Sequence, residues 1–225
     1  AIEAPTGTGK SFGYLIPSIV AAKSQGVQVV VATAVVSLQE QLLSKDLPAV
    51  LKASPVPFTF ALAKGRGRFV CTSKLKEEAE KEHELQQRKS EHKAASAKGK
   101  KKGAALFSVE EDTSTTLGQI EQAVHDGEMP ADPYQTLERA YRQRTWDGEQ
   151  ESVNMFPEKV KAIIWPKIIT DNSGCSGKSC KHYNDCPYMG ARAKWMDADV
   201  IVANHDFVLS DLRIGSGGAL LSPPD

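Results

Sequence analysis

Apolar residues recur at helical spacing from residue 9 to about residue 26, with Pro17 placed to kink the helix they predict. Residues 27–34 follow Gly26 and are apolar and β-branched, which predicts a buried strand. Ser37 and Glu40 make a Ser-x-x-Glu capping box ahead of Leu38, Leu42 and Leu43, so a second helix is expected to begin there. Pro55 and Pro57 interrupt the chain before residues 58–63, a second strand pattern. Strands and helices alternating at these lengths predict a parallel α/β sheet.

At Cys71 that rhythm stops. Residues 74–103 are dominated by Lys, Glu, Gln, Ala and Ser and end in Lys100, Lys101 and Lys102. The first half of this run predicts an exposed helix and the second half a flexible, disordered segment. Leu117, Ile120 and Val124 predict a short amphipathic helix, Leu137, Ala140 and Tyr141 another. Residues 155–169 form a third apolar stretch, bounded in its middle by Pro157 and Pro166. The α/β pattern returns at residues 198–203, followed by Asn204 and a helix through Phe207, Leu209 and Leu212. The chain therefore divides into an α/β part (1–70), an insertion (71–190, with 74–103 charged) and a return to the α/β part (191–225).

Composition narrows the class without naming a partner. Of 225 residues 40% are hydrophobic and 25% charged, and 28 basic residues balance 28 acidic ones. Disordered tails, collagens and disulfide-dense secreted scaffolds are excluded. No apolar run is long enough to span a bilayer, and no signal segment opens the chain. A reducing, cytoplasmic setting is expected, where four cysteines bind metal or stay free. Residues 1–4 run directly into the loop described next, where a strand of about five residues is expected. Ser222, Pro223, Pro224 and Asp225 end the sequence in a turn. Both ends predict a piece of a longer chain.

Ala4, Pro5, Thr6, Gly7, Thr8, Gly9, Lys10 and Ser11 fit the Walker A phosphate loop, with Ala4 in place of its first glycine. Each position has a chemical reason. Gly7 and Gly9 let backbone N–H groups turn inward around a β-phosphate with no Cβ in the way. The helix that follows aims its positive end at the same phosphate. Lys10 is expected to reach the β- and γ-oxygens, and the Ser11 hydroxyl to complete a Mg²⁺ shell. ATP and Mg²⁺ are the ligands this chemistry calls for.

Four residues separate Cys175 from Cys180 and five separate Cys180 from Cys186, while Cys71 stands far upstream. Zinc ribbons use two close Cys-x-x-Cys pairs, and none occurs here. Three clustered thiolates and one remote thiolate suit a 4Fe–4S cluster, with structural zinc as the rival because spacing alone leaves the metal open. Basic and aromatic residues surround these cysteines: Arg66, Arg68 and Phe69 before the first, Tyr183 and Tyr188 among the later ones, Arg192 and Lys194 after them. Phosphate neutralisation beside stacking faces is what a single nucleic-acid strand needs, though each residue also suits a plain solvated face.

Taken together, these stretches resemble the XPD/DinG group of superfamily 2 DNA helicases, most of all its DinG-type branch. The phosphate loop followed by Tyr14, Leu15, Ile16 and Pro17 resembles the group's first motif, and residues 33–42 its motif Ia. Residues 65–71 resemble the segment bearing the first cluster cysteine, and residues 198–205 the return to the motor core. The likeness is strong over 1–73 and 171–213. Between them only Trp146, Asp147 and Gly148 match.

The resemblance implies a RecA-like motor sheet, incomplete here, interrupted by a mainly helical iron–sulfur domain that Cys71, Cys175, Cys180 and Cys186 ligate. It implies ATP-driven 5′→3′ unwinding in bacterial DNA repair and replication, acting on single-stranded, forked or R-loop-like DNA, with a single-strand-binding protein as a partner. An acidic Mg²⁺ motif and a second motor domain belong to the family pattern and are missing from these residues, so the chain by itself is expected to be inactive. Two rivals use the same residues: a metal-stapled P-loop NTPase that does not translocate, and a redox-responsive DNA-binding module without unwinding activity.

Overall fold

The computed structural model describes residues 5, 7–98, 130–171 and 174–214. They form a mixed α/β structure divided into two compact units, Ala1–Gly65 with Met189–Asp225, and Arg66–Tyr188.

The first unit holds α1 (Lys10–Gln25), β1 (Val29–Thr33), α2 (Val36–Gln41), α3 (Leu47–Ala53) and β2 (Phe60–Ala63), with β3 (Val200–Asn204) returning much later in the chain. The strands lie in the order β1-β3-β2 and are all parallel, with Val30 and Ala61 both opposite Ile201. The central strand is covered on both faces, which is why Val200, Ile201, Val202 and Ala203 are uniformly apolar rather than alternating. Leu15, Ile19, Leu42, Leu47, Val50, Phe58, Val200 and Val202 pack as one core. Gly26 ends α1 in the left-handed region at φ 64, as a helix C-terminus favours. The α/β prediction for this part of the chain is borne out.

Side chains fix where β3 begins. The Gln28 amide donates to the carbonyls of Trp195 (3.2 Å), Met196 (2.6 Å) and Ala198 (2.9 Å). Asp199 accepts from the Thr59 N–H (2.7 Å) and from Lys23 (3.0 Å). Burial pushes the Asp199 carboxyl up, but these donors outweigh it and hold the group below its ordinary value.

One local expectation needs correcting. The helix after β1 starts one residue before Ser37, and no side chain caps it. Its entry is set instead by Thr33, whose hydroxyl oxygen accepts the Val35 N–H at 3.3 Å. A π turn over Leu42–Asp46 then joins α2 to α3. In the apolar stretch of residues 155–169, Pro166 lies inside a helix, Glu158–Ile168.

The second unit is mainly helical. It contains α4 (Thr72–Lys98), α5 (Pro133–Arg142) and α6 (Glu158–Ile168), then two 3₁₀ turns, Gly177–Ser179 and Tyr183–Asp185. A further helix, α7 (Pro187–Met196), begins in this unit, and α8 (His205–Ile214) follows β3 in the first. The helix α4 continues to Lys98, past the midpoint of the charged run where the sequence predicts an end to helix. Residues 99–103 and the helix predicted on Leu117, Ile120 and Val124 lie outside the described residues. Val70, Leu75, Leu137, Trp146, Ile164 and Trp165 belong to one buried core. Both indoles are satisfied, Trp146 donating to Glu149 O (2.8 Å) and Trp165 to Gly67 O (2.9 Å).

Candidate functional site

The phosphate-loop residues sit just ahead of α1. Ala4 and Thr6 lie outside the described residues. Gly7 and Gly9 take φ 83 and φ 76, the left-handed region that turns successive N–H groups to one side. No atom stands within 4 Å of where a Cβ would lie on either glycine, so backbone conformation is the reason for glycine here. Thr8 Oγ1 donates to Pro5 O (2.8 Å), and Lys10 Nζ to the same carbonyl (3.1 Å). No side chain caps α1 at Gly9, and no acid occupies its first turn. The positive end of the helix therefore faces the loop with no carboxylate in the helix's own first turn to cancel it. Because α1 runs back to the start of β1 through a short turn, the loop lies on the side of the strands' carboxyl ends, where open α/β sheets bind ligands. Ser11 is half-buried in the first turn.

The four cysteines all fall in the second unit, each half-buried and outside any disulfide. Cys71 begins the approach to α4, its N–H donating to Ile168 O (2.7 Å) and its carbonyl accepting the Leu75 N–H (2.9 Å). The other three are spaced by the 3₁₀ turns: the Cys180 N–H donates to Gly177 O and the Cys186 N–H to Tyr183 O. Among the described residues no three Cys, His, Asp or Glu side chains gather closely enough to hold a metal ion. As chemistry, four unoxidised thiols in one unit are a donor set that soft metals take.

Tight local bonds hold the cysteine loop. Arg66 Nη1 donates to Cys175 Sγ at 2.8 Å, and its guanidinium carbon stands 4.2 Å from the centre of the Tyr188 ring. Tyr188 packs edge-on against Phe69 with ring centres 5.7 Å apart. Both rings are buried, so neither is a surface stacking face. Tyr141 donates its hydroxyl to Asp185 O (2.7 Å); burial first, and the Asp185 charge second, push that phenol up to about 12. Lys76 Nζ lies 3.3 Å from His182 Nδ1. None of these links has a local signal, because their partners are far apart in sequence.

The residues expected at DNA divide. Arg68 is exposed and meets Gln150 (3.3 Å) and Glu151 (3.4 Å), while Arg66 is turned onto sulfur and ring. Tyr183 is half-buried. Arg192 and Lys194 lie on α7 in the first unit, half-buried and exposed respectively. His205, given no role by the sequence, is the exposed first residue of α8, and Asn204 caps that helix by accepting the Asp206 N–H (2.7 Å). Among the described residues no helix is long and apolar enough to cross a membrane.

No family model matches the chain. Individual proteins do. It is 32% identical over 223 residues to the ATP-dependent DNA helicase DinG of Photobacterium profundum, covering 99% of this chain and 27% of that protein. It is 34% identical over 216 residues to the proteins of the same name from Salmonella typhimurium and Escherichia coli, covering 95% of this chain. The chain spans about a quarter of the length of the curated relatives it matches. The DinG-type resemblance seen in a few motifs thus extends along nearly the whole chain.

Proposed function

We infer that this chain is of the DinG helicase type and serves as the nucleotide-binding and cysteine-bearing part of an ATP-dependent, 5′→3′ DNA helicase. The observation that carries this is the end-to-end similarity to proteins named ATP-dependent DNA helicase DinG. The left-handed turn at Gly7 and Gly9 before α1 supports the nucleotide half of the reading.

In this reading the first unit is the RecA-like motor segment. Residues 4–11 surround the ATP phosphates, the Lys10 ammonium exchanges the Pro5 carbonyl for the β- and γ-oxygens, and the Ser11 hydroxyl binds Mg²⁺. The second unit is the inserted domain, with Cys71, Cys175, Cys180 and Cys186 as ligands of a 4Fe–4S cluster. Such a centre supplies cross-linking between distant segments, so that metal binding contributes folding free energy, and it exchanges one electron. Arg68, Lys194 and the half-buried Arg192 and Tyr183 are the proposed contacts to single-stranded or forked DNA, in the bacterial cytoplasm and beside a single-strand-binding protein.

The test uses the intact protein purified without oxygen. Wild type is expected to show the visible absorption of an iron–sulfur centre, about four irons per chain and ATP turnover stimulated by DNA. Lys10→Ala should lose that turnover with iron content and fold unchanged, because the lysine acts on transferred charge and not on packing. Undiminished turnover in Lys10→Ala would remove the phosphate-loop assignment. A colourless wild type with one zinc would remove the cluster.

A further inference from the structure

We propose that the π turn at Leu42–Asp46 is a two-state joint of the first unit: the Gln41–Asp46 side-chain bond latches it in its wide winding, and nucleotide bound at the head of α1 rewinds it to an α-helix. The inference rests on the phosphate-loop reading above and adds a conformational response to it.

The winding and the side-chain bond select each other. The Leu47 N–H donates to Leu42 O, five residues back, which is the π repeat. Gln41 Nε2 donates to Asp46 Oδ2 at 2.9 Å, also across five residues. In an α-helix, residues five apart point about 140° away from each other, so that bond needs the wider turn. Asp46 is 3% exposed, and a buried carboxylate is costly without a donor. Ser44 adds a second lock, its hydroxyl donating to Glu40 O at 2.6 Å, a contact that bends helices. One cost opposes these bonds. Gln39, in the adjoining α2, is buried, and among the described residues its Nε2 finds no hydrogen-bond partner. Turning α2 relative to the core would relieve that penalty. Stabilising bonds on one side and an unmet amide on the other leave the two windings close in free energy.

The turn also lies where α1 can act on it. Its two ends, Leu42 and Leu47, are fully buried and pack in one core with Leu15 and Ile19 of α1. α1 packs directly on the turn and opens at Lys10, inside the phosphate loop. Phosphates that engage the N–H groups of the first turn reposition α1. A close-packed core passes such a displacement to the elements it touches rather than absorbing it. The turn then exchanges its latch for regular α-helical bonds.

The experiment is hydrogen exchange read by mass spectrometry on the intact protein, with and without Mg²⁺ and a non-hydrolysable ATP analogue, beside a titration of the analogue's affinity. In wild type the analogue should slow exchange at residues 42–47 about tenfold, because α-helical bonds protect better than π bonds. Gln41→Glu sets two carboxylates side by side only in the π winding. It should therefore slow the same amides without nucleotide and tighten the analogue by up to about tenfold, as the competent winding becomes the major state. A merely structural loss does the opposite, speeding exchange and weakening binding. Adding Asp46→Asn to Gln41→Glu restores one donor and one acceptor in reversed order, and both readouts should return to wild type. Faster or unchanged exchange at 42–47 in Gln41→Glu, or a double variant that keeps the single variant's behaviour, overturns the joint. If Gln41→Glu does not fold, the wild-type comparison decides: slower exchange with the analogue sustains the joint. Wild type that binds the analogue without slowing at 42–47 overturns the joint and leaves the phosphate-loop reading standing. Wild type that binds no analogue overturns both together.

Discussion

Gly148 shows how narrowly one position is constrained beside the cysteines. It sits at φ 86, and a Cβ there would lie 2.8 Å from Cβ and Cγ of Pro187 and 3.0 Å from Cε2 of Tyr141. Its carbonyl accepts the Val70 N–H (2.9 Å), next to Cys71, while Pro187 adjoins Cys186. Gly148→Ala therefore meets both backbone strain and a clash with a ring and a rigid pyrrolidine. It should destabilise residues 66–188 by on the order of 1–3 kcal/mol. A shifted denaturant midpoint for this unit checks it; an unchanged midpoint would mean that Pro187 and Tyr141 give way freely. Gly7 and Gly9 differ, since nothing crowds them and substitution there costs conformation alone.

At the scale of elements, α5 is started by a residue of another helix. Its N-cap Asp132 makes no side-chain cap bond, and Pro133 opens the first turn. Glu82 of α4 supplies the acceptor instead, taking the Gln135 N–H at 3.0 Å. Glu82 is pushed up to about 7: burial raises it most, the Gln135 N–H pulls it back in part, and the charges of Asp132 and Glu78 add to the rise. A carboxyl whose pKa is higher folded than unfolded binds more protons in the folded state. Its contribution is thus full below the ordinary value of 4.5 and is lost as pH rises toward about 7. Glu82→Gln should flatten that part of the stability profile of residues 66–188, with thermal melts across this window as the measurement. A slope identical to wild type would show that Glu82 does not set it. The alternating α/β pattern was legible because period and β-branching report burial directly, as in residues 200–203. The glycine turn before α1 was legible because its constraint, a positive φ at Gly7 and Gly9, is local. The cap from Glu82 and the bond from Arg66 to Cys175 were not, since they join segments that only folding brings together. The Ser37 capping box misled for a related reason: Thr33 at the end of β1 competes for the same turn and wins.

For the whole molecule, each unit has its own buried core: one around Leu15, Leu42, Phe58 and Val202, the other around Leu137, Trp146, Ile164 and Trp165. A chain crossing from the first unit into the second and back leaves each part to be stabilised by its own apolar burial. Ile164 is fully buried, so Ile164→Ala removes packing with little means of repair. The cost should be about 2–5 kcal/mol. Native-state hydrogen exchange should report that loss at the amides of α4, α5 and α6, while β1 and β3, paired from Val29 to Thr33, keep their protection. The matching substitution Leu15→Ala, in the other core, should reverse the pattern. Equal loss of protection across both units in either variant would show a single cooperative fold, and Gly148→Ala would then weaken the first unit as much as the cysteine segment.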